Sequence, residues 1–160
     1  MTISKKTDDI KISSMKELLS PIDLINDLPM TSKAIDTVVS TREEIINILN
    51  GEDNRILLIV GPCSIHDIDA AHEYAEKLLQ IKKQVKKNIL VIMRVYFEKP
   101  RTVVGWKGLI NDPDLDNSFN INKGIRIARK LLINLADLGM PAGHEYLDLI
   151  SPQYISDVIC

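Results

Sequence analysis

Positively charged side chains are concentrated in residues 93–108, which read MRVYFEKPRTVVGWKG. The four cations of this stretch are Arg94, Lys99, Arg101 and Lys107. Arginine offers a carboxylate or phosphate two parallel hydrogen bonds, and lysine offers a point charge, so the stretch predicts an anion-binding site. The plainer alternative is ordinary surface ion pairing, for which three acids lie nearby: Glu98, Asp112 and Asp114.

A cysteine in the stretch GPCSIHD, residues 61–67, is the second candidate for chemistry. Cys63 directly follows the apolar run Ile56–Val60 and a Gly-Pro pair. Its thiol is either a metal ligand or nucleophile at the end of a strand, or a small group that fills a turn. Cys63 and His66 have a spacing seen in metal sites, but two residues do not make a zinc site. The residues alone leave these alternatives open.

Two acids near the end of the chain, Glu145 and Asp148, are the third candidate group. Carboxylates at the end of a strand serve as acid, base or metal ligand, and they are equally common as solvated surface groups. The sequence alone does not separate the two roles.

The elements that would position these groups alternate between strand and helix. Strands are predicted at Ile56–Val60, Ile89–Val95 and Gly143–Leu147. The helices between them are predicted at about 67–85 and 122–138, and a third helix is predicted to begin at Pro152. Such alternation predicts an α/β fold with a parallel sheet and right-handed crossovers. Three strand–helix units form either a small open sheet or the first part of a (β/α)8 barrel.

The second strand carries an arginine in an otherwise apolar run. Leu90, Ile92 and Arg94 share one face of the strand, because side chains alternate along it. An unpaired cation among apolar neighbours is costly, so we expect Arg94 to meet an anion. Lys99 and Arg101 follow just past the end of the strand, which is where α/β proteins bind ligands.

Residues 1–52 are predicted to form an N-terminal extension that precedes a core of residues 53–160. Apolar residues keep helical spacing over about 31–50, and Gly51 is a plausible end for that helix. Because this helix comes before the first strand, it lies outside the alternating core.

The composition is that of an ordinary globular protein. The chain has 160 residues, of which 45% are hydrophobic and 26% are charged, with a net charge of −2. Neither nucleic acid nor a membrane is therefore expected as a partner. Two cysteines, Cys63 and Cys160, do not form a disulfide framework, so a reducing cytoplasm is the expected location.

Three stretches resemble the microbial type I 3-deoxy-D-arabino-heptulosonate 7-phosphate (DAHP) synthases: GPCSIHD at 61–67, MRVYFEKPRTVVGWKGLINDPDLDNSF at 93–119 and IARKLL at 127–132. The resemblance implies a (β/α)8 TIM barrel behind a helical N-terminal extension used in oligomer contacts. It implies condensation of phosphoenolpyruvate with erythrose 4-phosphate, the first step of the shikimate pathway, in a homo-oligomer. A divalent metal (manganese, iron, cobalt or zinc) would act as Lewis acid, and an aromatic amino acid would act as feedback inhibitor.

The resemblance also implies roles for individual residues. Cys63 matches a metal ligand. Two residues, Arg94 and Lys99, match groups that bind phosphoenolpyruvate. The segment that receives erythrose 4-phosphate is matched by Lys99, Pro100, Arg101 and Thr102. Lys99 and Glu145 are the expected catalytic residues, Glu145 beside the attacking water. Asp148, Leu149, Pro152 and Gln153 match part of the inhibitor site. His144 departs from the small residue expected before the glutamate.

Members of that family are about twice as long as this chain, which is expected to stop inside its third helix. The other expected metal ligands would lie in the missing half, so the 160 residues alone are expected to be inactive. Two rivals stay open: an octulosonate-phosphate synthase, which would carry Lys-Ala-Asn-Arg-Ser where this chain has Lys-Pro-Arg-Thr, and a truncated, non-catalytic product that only binds partner subunits.

Overall fold

Three parallel strands with helices packed around them make up the core of the protein. The computed structural model describes residues 7–12, 14–101 and 105–160. The strands are β1 (Ile56–Val60), β2 (Ile89–Arg94) and β3 (Ala142–Gly143), in the order β1-β2-β3. Ile56 pairs with Ile89, and Met93 pairs with Ala142. The predicted α/β class with a parallel sheet is therefore confirmed.

The central strand, β2, is the best buried element of the sheet. Its residues Leu90, Val91, Ile92 and Met93 are all at most 3% exposed. β1 has a partner on one side within the described residues, and Ile56 and Ile59 are more than half exposed there. A continuous apolar run is typical of parallel strands that are covered on both faces, and in this structure only β2 is covered in that way.

The two long helices of the core begin and end at residues that the sequence marks. α3 (Ile68–Val85) starts at Asp67, whose carboxylate accepts the N–H of Ala70 at 2.9 Å. α4 (Ile121–Leu138) starts at Asn120 and ends at Gly139, which has a left-handed φ of 85°. α4 buries a broad apolar face against the sheet: Ile125, Ala128, Leu131, Leu132 and Leu135.

The third strand is much shorter than predicted. The expected span was Gly143–Leu147, but β3 comprises only Ala142–Gly143. Its neighbour β2 ends at Arg94, so residues after Gly143 have no strand to pair with. The His144 ring instead lies against the Val95 carbonyl, at 2.8 Å from Nδ1.

The expectation that the chain stops inside its third helix is wrong. α5 (Pro152–Ile155) is a single turn, and a 3-10 turn follows it (Ser156–Val158). The chain is extended again at Ile159, and the N–H of Cys160 bonds to the carbonyl of Ala142 at 3.0 Å. The last residue is thus joined to β3 by one backbone hydrogen bond.

Two helices precede β1: α1 (Pro21–Asp27) and α2 (Ser32–Leu49). They pack on α5 and α4, and the division at residue 52 stays a prediction. Arg129 on α4 links α5 to the residue that follows α1. Its side chain is fully buried, forms an ion pair with Asp157 at 2.7 Å and donates hydrogen bonds to the carbonyls of Leu28 and Tyr154. Across the described residues, each helix is too short or too polar to cross a bilayer.

Candidate substrate pocket at the carboxyl ends of the strands

A pocket of about 320 Å³ opens where β1 and β2 end. Of the residues that the sequence proposed for catalysis, substrate and metal, six line it: Cys63, Arg94, Lys99, Pro100, Arg101 and Glu145. Two further residues line the same pocket and were not predicted: Tyr96 and Glu98. The predicted substrate residue Thr102 lies outside the described residues.

The end of β1 is held close to the end of β2 by a glycine. A Cβ on Gly61 would lie 2.5 Å from the carbonyl oxygen of Arg94, so any larger residue would push the strands apart. The turn that follows exposes Cys63, whose Sγ lies 3.7 Å from Nζ of Lys99. The thiol therefore points at the cationic wall of the pocket.

Arg94 reaches the pocket half-buried and with few protein partners. Its Nη2 donates to the carbonyl of Cys63 at 3.3 Å, which is a long hydrogen bond. Its Nε is buried with no hydrogen-bond partner. The guanidinium lies over the ring of Tyr96, with Cζ 4.0 Å from the ring centroid. The described part of the chain supplies no anion for it, which agrees with the expectation that Arg94 meets an external one.

A short hairpin carries Lys99 and Arg101. Glu98 and Gly108 form an antiparallel bridge, and the N–H of Lys99 bonds to the carbonyl of Lys107 at 2.9 Å. Gly108 has a φ of 116°, and a Cβ there would lie 2.0 Å from the carbonyl oxygen of Phe97. The hairpin is thus fixed to the end of β2 by close backbone contact.

Trp106 anchors the far side of this hairpin. Its Nε1 donates to the carbonyl of Asp112 at 2.7 Å, and its ring packs against the core. The anchor and the bridge together place Lys99 half-buried in the pocket and leave Arg101 exposed at its rim.

Glu98 is a buried acid between the pocket and the loop that precedes α5. Its carboxyl accepts a hydrogen bond from the Ser151 hydroxyl at 3.2 Å. Burial, and then a hydrogen bond and charge repulsion from Asp148, raise the pKa of Glu98 to about 7. Burial would raise the pKa of Asp148 as well, but the N–H groups of Ser151 and Ile150 outweigh it and lower that pKa. Of these two carboxyl groups, Glu98 is therefore the one that binds a proton more readily, and Asp148 stays ionised.

His144 and Glu145 follow β3 and point to different surroundings. The His144 ring is enclosed by three aromatic rings: Tyr96, Phe97 and Tyr146. Burial lowers the pKa of His144, so the imidazole is neutral near pH 7. Glu145 is exposed and reaches the pocket beside the cations.

The four residues expected at the inhibitor site lie together on one exposed turn outside the pocket. The carboxylate of Asp148 accepts the N–H of Ser151 at 2.7 Å, and Nε2 of Gln153 donates to the carbonyl of Leu149 at 3.2 Å. Leu149 is 89% exposed, and Pro152 begins α5. Their binding role stays a prediction.

One residue of the pocket, Cys63, has the chemistry of a metal ligand. Cys63 is an exposed thiol beside a cation, which suits a soft metal ligand. Within the described ranges no three His, Cys, Asp or Glu side chains are close enough to hold an ion together. Cys63 thus fits a site whose other ligands come from elsewhere.

The surface-pairing alternative is wrong for the described residues. Asp114 pairs with Lys123 at 2.5 Å, and Glu98 bonds to Ser151. The cations of the pocket form no ion pair there, although three of them crowd one cavity. Glu98 and Glu145 line the same cavity but do not pair with these cations, so the cations keep the capacity to bind an external anion.

Parallel strands with a cationic pocket at their carboxyl ends define an α/β protein whose pocket lies where ligands bind in folds of this class. Residues 27–160 match the model of the DAHP synthetase I family. The chain belongs to that family.

Individual relatives agree with this assignment. The chain is 54% identical over 154 residues to the Phe-sensitive phospho-2-dehydro-3-deoxyheptonate aldolase of Escherichia coli (strain K12), covering 96% of this chain and 44% of the relative. It is 49% identical over 155 residues to the Trp-sensitive aldolase of Buchnera aphidicola subsp. Schizaphis graminum, with coverages of 97% and 44%.

Among solved structures, the phospho-2-dehydro-3-deoxyheptonate aldolase of Francisella tularensis SCHU S4 superposes with a TM-score of 0.90 at 55% identity. That match covers 92% of this chain and 43% of the other. The chain therefore spans less than half the length of the relatives that it matches.

Proposed function

We propose that this chain forms the phosphoenolpyruvate and erythrose 4-phosphate pocket of a DAHP synthase. The observation that carries the proposal is the convergence of Cys63, Arg94, Lys99, Arg101 and Glu145 on one cavity at the carboxyl ends of parallel strands. Both substrates are anions, and the cations of the pocket form no ion pair among the described residues. The expected continuation of the sheet is a (β/α)8 barrel, supported by the backbone bond from Cys160 to Ala142.

The condensation needs two anions held side by side. Arg94 and Lys99 would bind phosphoenolpyruvate, and Arg101 at the rim would bind the phosphate of erythrose 4-phosphate. C3 of phosphoenolpyruvate forms a bond to the aldehyde carbon, and the aldehyde oxygen takes up a proton. Water adds at C2 and loses a proton, and the C–O bond to phosphate breaks. Much of the rate gain comes from positioning and charge neutralisation.

Two side chains fit the remaining steps. Glu145 is exposed to the pocket and is proposed to take the proton from the attacking water. Cys63 is proposed as one ligand of a divalent metal, and such a metal would supply Lewis-acid polarisation of the aldehyde. A thiol with this task has to stay reduced, which supports a cytoplasmic location.

An aromatic amino acid is proposed as feedback inhibitor at the turn that holds Asp148, Leu149, Pro152 and Gln153. The printed names of relatives, Phe-sensitive and Trp-sensitive, support this. A homo-oligomer is proposed through the N-terminal extension, where α2 exposes Ile35, Val39, Ile46 and Leu49.

The test is a hybrid enzyme: this chain joined to the part of the Escherichia coli Phe-sensitive aldolase that follows the aligned residues. We expect the hybrid to release phosphate only with both substrates and added divalent metal. A hybrid that is folded by circular dichroism but inactive would count against the proposal. If the full hybrid does not fold, a smaller one that carries only residues 53–160 of this chain keeps the relative's own extension and gives the same readout.

Replacing Arg101 with alanine in the hybrid should raise KM for erythrose 4-phosphate by roughly tenfold to a hundredfold, because a charge-assisted contact to phosphate is lost. KM for phosphoenolpyruvate should change much less. Steady-state kinetics with each substrate varied in turn measure both values. Equal effects on the two KM values would indicate that Arg101 does not bind erythrose 4-phosphate specifically.

Replacing Cys63 with serine should sharply lower the metal content of the purified hybrid, because a soft ligand is lost. The matched control is Cys160→Ser, since Cys160 is half-buried and lines no part of the pocket. Atomic absorption after dialysis measures the bound metal. An unchanged metal content in the Cys63 variant would indicate that Cys63 only fills the turn and does not bind the metal.

A further inference from the structure

Tyr96, like Glu98, is a pocket residue for which neither the sequence nor the proposed reaction supplied a task. Its ring supports the guanidinium of Arg94, with Cζ 4.0 Å from the centroid. The remaining protein contacts of that guanidinium are weak: one 3.3 Å hydrogen bond to the Cys63 carbonyl and a buried Nε without a partner. The ring is therefore the main group that stabilises the cation.

Supporting a cation by a ring differs from supporting it by a carboxylate. A carboxylate binds the N–H edge of guanidinium, occupies its donors and neutralises its charge. An aromatic ring binds the flat face of the guanidinium by its quadrupole and leaves the N–H edge free. In this geometry Arg94 stays both ordered and able to donate two parallel hydrogen bonds to an incoming anion.

The Tyr96 ring is in turn held by His144. The two rings meet edge to face, with centroids 5.9 Å apart and planes at 82°. The Val95 carbonyl accepts from Nδ1 of His144 at 2.8 Å, so Nδ1 carries the hydrogen and the imidazole orientation is set. A neutral imidazole adds no second cation beside the ring.

We propose that Tyr96 is a positioning residue, which together with His144 orients the guanidinium of Arg94 for the carboxylate or phosphate of phosphoenolpyruvate. The inference rests on the proposed function, since it takes Arg94 as a ligand of that substrate. The stack Arg94–Tyr96–His144 connects the end of β2 to the segment after β3, so it also aligns two separate strands at the pocket.

The experiment compares Tyr96→Leu with Tyr96→Phe in the hybrid enzyme. Leucine removes the ring, and KM for phosphoenolpyruvate should rise about fivefold to thirtyfold, the range for a cation–π contact in a partly desolvated site. Phenylalanine keeps the ring face and should recover most of that loss. KM for erythrose 4-phosphate should stay near its starting value, which a general structural fault would not allow.

Two further variants make the result specific. In an Arg94→Gln background the Tyr96→Leu change should have little additional effect on KM, because the cation that the ring supports is gone. Tyr74→Leu makes the same exchange on α3, outside the pocket, and should leave the ratio of the two KM values unchanged. Additive effects of the Arg94 and Tyr96 changes, or no rescue by phenylalanine, would overturn the proposal.

Binding of phosphoenolpyruvate measured by calorimetry separates this inference from the proposed function. A folded hybrid that binds phosphoenolpyruvate but makes no product refutes the proposed function, and the Tyr96 variants can still be compared by Kd. If Kd is the same with tyrosine and leucine at position 96, the positioning role is refuted even in an active enzyme.

Discussion

Two arginines of this chain have opposite surroundings. Arg129 is completely buried between α4, α5 and the end of α1. Its donors reach both carboxylate oxygens of Asp157 and the carbonyls of Leu28 and Tyr154. Arg94 is half-buried at the pocket and has one long hydrogen bond and a ring. Full pairing indicates a structural arginine, and incomplete pairing leaves capacity for a ligand.

The comparison predicts that stability depends on Arg129. Arg129→Met in the hybrid should lower the free energy of unfolding by about 3–5 kcal/mol, because Asp157 and two carbonyls lose their donors. Urea denaturation followed by circular dichroism measures it. The matched control on the same helix is Arg126→Ala, which removes an exposed pair with Asp27 and should cost under about 1 kcal/mol. Equal losses in the two variants would contradict the structural role.

The converse prediction concerns Arg94. Arg94→Gln should raise KM for phosphoenolpyruvate by roughly tenfold to a hundredfold, the value of a charge-assisted hydrogen bond. Its free energy of unfolding should stay the same or increase slightly, because a half-buried cation with few partners is removed. Kinetics and urea denaturation on the same preparation check both halves. If the Arg94 variant has a lower free energy of unfolding but an unchanged KM, Arg94 is a structural arginine and not a ligand of the substrate.

A third effect is expected from Glu98, which lines the same pocket as Arg94 but titrates near neutral pH. The folded pKa of Glu98 is raised to about 7, so the folded state binds a proton that the unfolded state releases. Its contribution is fully present below the unfolded pKa of about 4.5 and is lost as pH rises to about 7.

Between those limits the free energy of unfolding should fall by about 3 kcal/mol, and Glu98→Gln should abolish the decline. Urea titrations at a series of pH values measure the slope. The lowered pKa of Asp148 acts in a separate window at more acidic pH, where its ionised form is lost. A slope that survives in the glutamine variant would assign the titration to another group.

The sequence predicted the elements whose ends are set locally. Asp67 and Gly139 mark a helix start and a helix end by their own side-chain and backbone chemistry, and the structure has both there. The length of β3 depends instead on where β2 ends and on the ring of His144, which are contacts distant in sequence. For the same reason the sequence did not show the backbone bond between Cys160 and Ala142.

At the pocket, the sequence identified the residues with recognisable chemistry and missed those that support them. Tyr96 has no reactive group, and its importance lies in the side chain on which it packs. One signal was available: Arg94, Tyr96 and Glu98 alternate along the chain, so they share a face as far as the extended backbone continues. The burial of Glu98 cannot be predicted from its neighbours, because its contact with Ser151 joins residues that are distant in sequence.

The close backbone contact at Gly108 has a consequence for how a single substitution would spread through the pocket. Glu98 is bridged to Gly108, the N–H of Lys99 bonds to the carbonyl of Lys107, and a Cβ at Gly108 would lie 2.0 Å from the carbonyl oxygen of Phe97. Any larger residue at position 108 would therefore push the backbone of Phe97 and Glu98 away. Lys99 would move with that backbone, so a change ten residues downstream of the pocket's Glu98 would be felt at the lysine without touching the lysine itself.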